Sequence, residues 1–263
     1  MNFVKKTGLA LALTALTAIS SVLPAHAQSA IDRILSANKI VIGVQNDVPP
    51  YSQIGANNDV EGMDIEIAKA IARDLGVELE LVVVTGANRI PTLVSNRADM
   101  VIATVGINPQ RAAAVALSNA YTSFPMTVIA SKSVDLSNYE DTAGKVIGLT
   151  RGTMQDDIIS RNAPEADIRR YDDDATVIQA LATGQIDATA FGASVAVDLA
   201  ERFPDKEFEI KFDAYSTYAA IALRQADLDL LNWVNTWIFF NRHNGYLAQL
   251  HQEWLGIDLP PLN

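Results

Sequence analysis

The chain has 263 residues, 49% of them hydrophobic, and a formal net charge of −11 at pH 7. That balance argues against non-specific binding to nucleic acid or anionic lipid, which needs Lys and Arg to neutralise phosphates. There is no Cys, so disulfides and thiol chemistry are excluded, and the three His show no metal-ligand spacing, so no metal and no cofactor are expected.

The N-terminus reads as an export signal. Lys5-Lys6 give a short positive region, Leu9 to Leu23 an apolar run broken only by small polar residues, and Ala25-His26-Ala27 an A-x-A cleavage site. Residues 1–27 are therefore expected to be removed, and the loss of two Lys takes the charge to −13. No later run reaches the ~18 apolar residues of a membrane span. A soluble, periplasmic protein is expected.

Ala30 to Ala37 is a short helix and Lys39 to Gln45 a strand, turned aside by Asp47-Val48-Pro49-Pro50-Tyr51. Glu61 to Leu75 is an amphipathic helix, with Ile65, Ala68, Ile71, Ala72 and Leu75 on one face and Gly76 as its stop. Glu78 to Val84 is a strand, Ala87 to Asn96 a short helix, and Asp99 to Ala103 the third strand. This β-α-β-α-β pattern predicts a parallel sheet. Pro125 to Ser131 is a further strand, leaving this first unit.

The pattern restarts with a strand at Lys145 to Leu149 and a helix from Met154 to about Asn162. A strand at Asp167 to Tyr171 follows, then a helix at Ala175 to Thr183, a strand at Ile186 to Phe191 and a helix at Ala193 to Arg202. Asp172-Asp173-Asp174 reads as a helix cap with first-turn acids, because its spacing does not suit a calcium loop. Phe208 to Phe212 and Ser216 to Leu223 are two more strands. Leu228 to His243 is a long helix, and Tyr246, Leu247, Leu250 and Trp254 form a last core-facing stripe.

Ligands of open α/β sheets bind beyond the carboxyl ends of strands. Four such ends carry distinctive residues: Gln45 to Asp47, Thr104 to Arg111, Thr150 to Gln155, and Phe191-Gly192. Two fall in each unit, which points to a cleft between the units. Thr104 to Gly106 are expected to offer free backbone N–H groups there. Asn108 is expected to cap a helix opened by Pro109, with Arg111 in its first turn. A cation at that position opposes the helix dipole, and a bound carboxylate would remove the conflict.

The chain resembles the bacterial periplasmic amino-acid-binding proteins, solute-binding protein family 3, which serve ABC importers. The resemblance is carried by Val41-Ile42-Gly43-Val44 with Pro49-Pro50-Tyr51, Gly62-Met63-Asp64-Ile65-Glu66-Ile67-Ala68, Asn88-Arg89-Ile90-Pro91 and Asn108-Pro109-Gln110-Arg111. It continues through Ser118-Asn119-Ala120-Tyr121, Gly152-Thr153, Gly184-Gln185-Ile186-Asp187-Ala188 and Trp254-Leu255-Gly256. It implies a type II periplasmic-binding-protein fold, two doubly wound α/β lobes joined by two hinge strands. Lobe 1 would comprise residues 28–122 and 221–263, and lobe 2 residues 126–216. The partners implied are a small-molecule ligand and a membrane ABC permease, with the binding protein itself a monomer.

The resemblance gives Arg111 the role of holding a ligand α-carboxylate, helped by Thr104, Gly106 and Asn108. Thr153 and Gln155 match contacts from the second lobe, and Tyr51 matches an aromatic residue near the cleft mouth. Gln45 belongs to the first strand end. The sequence departs from the family at Gly106, where a hydroxyl is usual, and at Asn108 and Gln110, which replace Thr and Glu. Ala116-Leu117-Ser118 replaces Asp-Phe-Ser. Gly192 stands where the family's Asp binds the ligand's ammonium. Asp47 is the expected substitute acid; otherwise the ligand is a carboxylate without an ammonium. An enzyme of dehydratase type on the same fold is a further alternative, with Asp47, Asp156 and Asp157 as its available acids. A sensor ectodomain is a third, disfavoured by the lack of a later membrane span.

Overall fold

Two strands of sixteen residues, Ala116–Ser131 and Phe208–Leu223, run antiparallel through the centre of the molecule and belong to both of its lobes. The structure is a computed structural model describing residues 28–262; the expected signal peptide, residues 1–27, lies outside the described residues. In chain order the elements begin with α1 (Ala30–Ala37), β1 (Lys39–Val44), a small hairpin of β2 (Gln53–Ile54) and β3 (Val60–Glu61), and α2 (Met63–Leu75). They continue with β4 (Glu78–Val83), α3 (Arg89–Val94), β5 (Met100–Gly106), α4 (Pro109–Ala114) and the long β6 (Ala116–Ser131). The second lobe has β7 (Val146–Thr150), α5 (Met154–Asn162), β8 (Asp167–Tyr171), α6 (Asp174–Ala182), β9 (Ala188–Gly192) and α7 (Ala193–Arg202). The chain returns along β10 (Phe208–Leu223) and ends in α8 (Leu228–His243) and α9 (Tyr246–Leu255).

The strands form one eight-stranded sheet in the order β4-β1-β5-β10-β6-β9-β7-β8. Each end is parallel, as the β-α-β pattern predicts: β1 pairs with β4 and β5, and β7 pairs with β8 and β9. The two long antiparallel strands join the ends. The first lobe packs Ile40, Ile42, Ile65, Ile71, Val234 and Leu250 into its larger core, with a smaller cluster around Leu93, Val101 and Val105. The second has separate apolar clusters, one around Val177, Leu181 and Leu199 and one around Ile147, Leu149 and Ile159. A shared sheet with separate cores leaves the long strands as the covalent hinge.

Local signals account for the helix ends. Ser29 caps α1, Asn108 caps α4, Thr153 caps α5 and Asp173 caps α6, each accepting from the N–H three residues on. Gly76 ends α2 at φ 71°, a left-handed conformation that favours glycine.

Three sequence expectations change. The pieces Phe208 to Phe212 and Ser216 to Leu223 are one strand. The pairing of β10 with β6 slips between Ile210 and Phe212 and between Asp213 and Tyr215, so bulges take up the break in pattern without ending the strand. The strand expected at Pro125 to Ser131 starts at Ala116, nine residues earlier. The third strand runs on through Gly106 because β10 pairs with it at Ala219 and Ala220. Thr104 to Gly106 are therefore strand and not an open loop. His251, from α9, is buried and links Leu247 O to the hydroxyl of Thr122 on β6, a packing role.

Candidate functional site

A cavity opens between the lobes, and the strand ends named from the sequence converge on it. Gln45, Tyr51, Thr104, Gly106 and Arg111 line it from the first lobe, and Thr153, Gln155, Phe191 and Gly192 from the second. Phe124 and Met126 of β6 and Tyr215 and Thr217 of β10 form its hinge wall. Two predicted site residues, Asp47 and Asn108, are not part of the lining. Two charged residues without a predicted binding role, Arg89 and Asp174, are.

Arg111 spans the cleft. Its Nη1 donates to Gly106 O at 2.9 Å within the first lobe, and its Nη2 donates to Gly152 O at 3.2 Å in the second. It forms no ion pair among the described residues. Burial, followed by the charge of Arg89, pushes its pKa down to about 9. A guanidinium destabilised in this way, with only neutral carbonyl partners, favours an anion beside it. The explanation from the helix dipole weakens, since α4 has six residues and Asn108 Oδ1 already accepts the Arg111 N–H at 2.7 Å.

Gly106 is required by this close approach. A Cβ there would collide with Met154 Sδ and stand 3.1 Å from Arg111 Nη1. The missing side chain leaves the room that Met154 and the Arg111 guanidinium occupy beside β5. Thr104 does not offer a free N–H. Its N–H donates to Asp64 Oδ2 at 3.1 Å and to Tyr121 Oη at 3.2 Å, and Tyr121 Oη donates to Asp64 Oδ1 at 2.8 Å. This buried trio holds Thr104 at φ 45°. Burial pushes Asp64 up to about 7, against its two hydrogen bonds and the charge of Arg89.

Arg89 is 4% exposed. Its Nη1 donates to Ala103 O at 2.7 Å and Gln45 Oε1 at 3.4 Å, while its buried Nε has no partner among the described residues. The sequence showed Arg89 only as part of Asn88-Arg89-Ile90-Pro91. An Arg opening a short apolar helix, directly before Ile90 and one turn before Leu93, is the signal that could have found it, since such a residue is buried only at some cost.

Asp47 caps the opposite lobe. Its Oδ2 accepts from Asp174 N at 3.1 Å and Ala175 N at 3.3 Å, at the N-terminus of α6. Expected to face the ligand, it instead ties the loop after β1 to α6. Asp174 itself is 4% exposed; it accepts from the Thr150 hydroxyl on Oδ1 and from Gln45 Nε2 on Oδ2, the latter at 3.3 Å. Gln45 Nε2 also donates to Asp47 Oδ1 at 3.4 Å. Burial and the charge of Asp47 raise the pKa of Asp174, and burial raises that of Asp47. The three consecutive acids do begin a helix, with Asp173 as its cap and Asp174 in its first turn, and Asp174 is turned inward.

The remaining residues are simpler. Thr153 is buried, donating its hydroxyl to Thr150 O at 2.7 Å and accepting from Asp156 N at 3.3 Å. Tyr51 packs on Phe124 with ring centroids 5.1 Å apart. Gly192 caps α7, and a Cβ there would touch the Phe124 ring at 3.4 Å. Asp156 pairs with Arg170 at 2.8 Å and Asp157 is exposed, so neither lies in the lining.

The fold and the cleft define a two-lobed, hinged binding protein of the type II periplasmic class. The profile of bacterial extracellular solute-binding proteins, family 3, matches residues 40–257, and the chain belongs to that family. It is 29% identical over 232 residues to the L-cystine-binding protein TcyJ of Escherichia coli (strain K12), covering 87% of each chain. Among solved structures it is similar to the P235GK mutant of ArgBP from T. maritima, at TM-score 0.81 and 29% identity, covering 87% of this chain and 100% of the other. It is also similar to an ancestral amino acid-binding protein, AncCDT-1, described as a precursor of cyclohexadienyl dehydratase, at TM-score 0.79 and 28% identity over 86% of this chain and 99% of that one. Among the described residues no helix is long and apolar enough to cross a membrane.

Proposed function

We propose that this chain is an exported binding protein that captures an amino acid in the interlobe cleft and presents it to an ABC permease. The observation that carries the reading is Arg111, a cation in the cleft whose guanidinium donates, among the described residues, to two neutral carbonyls alone, one from each lobe. A ligand carboxylate there would be held by the guanidinium fork and would draw both lobes onto itself. Residues 28–122 and 221–263 act as lobe 1, residues 126–216 as lobe 2, and residues 1–27 as the signal peptide for the periplasm. The protein acts as a monomer, and its ligand-closed form is the one the permease recognises. Binding without turnover is favoured by the acids first considered for catalysis. Asp47 caps α6, Asp156 pairs with Arg170, and Asp157 lies outside the lining.

A second reading, a carboxylate without an ammonium, is favoured by Gly192, which brings no acid to the end of β9. Mass spectrometry of the small molecule that co-purifies with the native protein, followed by a thermal-shift panel, tests both. Amino acids should raise the melting temperature, because ligand bound only to the folded state stabilises it. A shift with carboxylic acids alone would reject the amino-acid reading.

A further inference from the structure

An ammonium taken into a closed cleft needs a carboxylate, since an unpaired buried charge is very costly. The corner at Gly192 is walled by Phe124 and Phe191. Among the described residues lining the cavity, Asp174 is the one carboxylate. It is 4% exposed and forms no ion pair among the described residues. Each of its oxygens accepts one hydrogen bond, from Thr150 on Oδ1 and from Gln45 on Oδ2, which leaves acceptor capacity on both.

The surroundings of Asp174 are unbalanced. Asp47 lies beside it, and Gln45 Nε2 is divided between the two acids at 3.4 and 3.3 Å. Two carboxylates in a low-dielectric site repel, and a cation brought between them relieves both. The same cavity holds the buried Arg89 Nε, a donor with no acceptor among the described residues, which calls for an anionic or carbonyl oxygen of the ligand and not for its ammonium. Arg89 attracts Asp174 at longer range without pairing with it. Resting on the reading of Arg111 as the carboxylate site, we propose that Asp174 receives the ammonium of an α-amino-acid ligand, which then lies across the cleft from α4 to α6. Asp47, the acid expected from sequence, supports it by capping α6 from the other lobe.

The test compares L-amino acids with the matching acids that lack the amino group, by titration calorimetry on the wild type and on Asp174→Asn, which keeps the side-chain shape. Loss of a charge-assisted bond should weaken amino-acid binding about 10–100-fold and leave the deaminated acids within about threefold. Equal weakening of both ligand types, or no weakening of either, overturns the role of Asp174 and leaves Arg111 in place. Binding of only the deaminated acids by the wild type overturns the amino-acid reading itself. A measurement on the unmodified chain does not depend on the variant folding. At pH 6, titration in two buffers of different ionisation enthalpy counts exchanged protons. The groups facing Asp174 are Asp47, Asp173, Arg89, Gln45 and Thr150. An ammonium favours the ionised form of the Asp47–Asp174 pair, so amino acids should release protons that the deaminated acids do not. Equal proton counts for the two ligand types overturn the assignment.

Discussion

Arg111 Nη2 donates to Gly152 O at 3.2 Å, joining the start of α4 in one lobe to the loop before α5 in the other. The residue proposed to meet the ligand is also a strut between the lobes. Arg111→Ala should therefore lower affinity for every carboxylate ligand, about 10–150-fold from the lost charge-assisted bond. Lys should rescue poorly, because an ammonium cannot serve two acceptors with a planar fork. Calorimetry decides it, and unchanged affinity would remove Arg111 from the site.

Asp47 makes the second strut, capping α6 from the loop after β1. Losing a cap of this kind costs about 0.5–2 kcal/mol. Asp47→Ala should therefore weaken amino acids and deaminated acids by the same few-fold to ~30-fold factor, since closure serves both. Small-angle scattering should show a larger radius for the ligand-free variant than for the wild type. A loss confined to amino acids would instead make Asp47 a direct contact.

Gly106 has no space for a side chain between Met154 and Arg111. Gly106→Ser restores the hydroxyl usual in the family, yet it should weaken binding, because overpacking costs about 1–3 kcal/mol and moves the guanidinium. Tighter binding by this variant would show that the hydroxyl acts as a donor and that Met154 yields easily.

Asp64 links pH to stability. Its pKa is about 7 folded, above the unfolded value of 3.8. Its protonated form is thus favoured by folding, so this contribution is complete below the unfolded value and is lost as pH rises through 7. Denaturant unfolding of the wild type should lose on the order of a few kcal/mol from this group between pH 4 and 8. Asp64→Asn keeps a partner for Thr104 and Tyr121 and should flatten that slope. Equal slopes in the two proteins would place the titration elsewhere. His251 works in the opposite sense. Burial lowers its pKa from 6.5, so its contribution is present above that value and falls away toward acid.

What could be read from sequence was what depends on near neighbours. The caps Asn108, Thr153 and Asp173 reach three residues along the chain, and the stop at Gly76 needs only its own backbone. The alternation of strands and helices, the strand ends and the place of Arg111 in the cleft follow from the same local rules. The tertiary structure decided what depends on partners more than thirty residues away. Pairing with β10 carried β5 through Gly106 and made one strand of two apparent pieces. Asp47 turned to α6, 127 residues distant, because the N–H groups of Asp174 and Ala175, which the cap Asp173 does not reach, lay there. Asp64, Arg89 and Asp174 look like ordinary surface charges in the sequence. They became interior groups because folding buried them, and the direction of an acid's side chain is set by which element is packed against it, which no local pattern encodes.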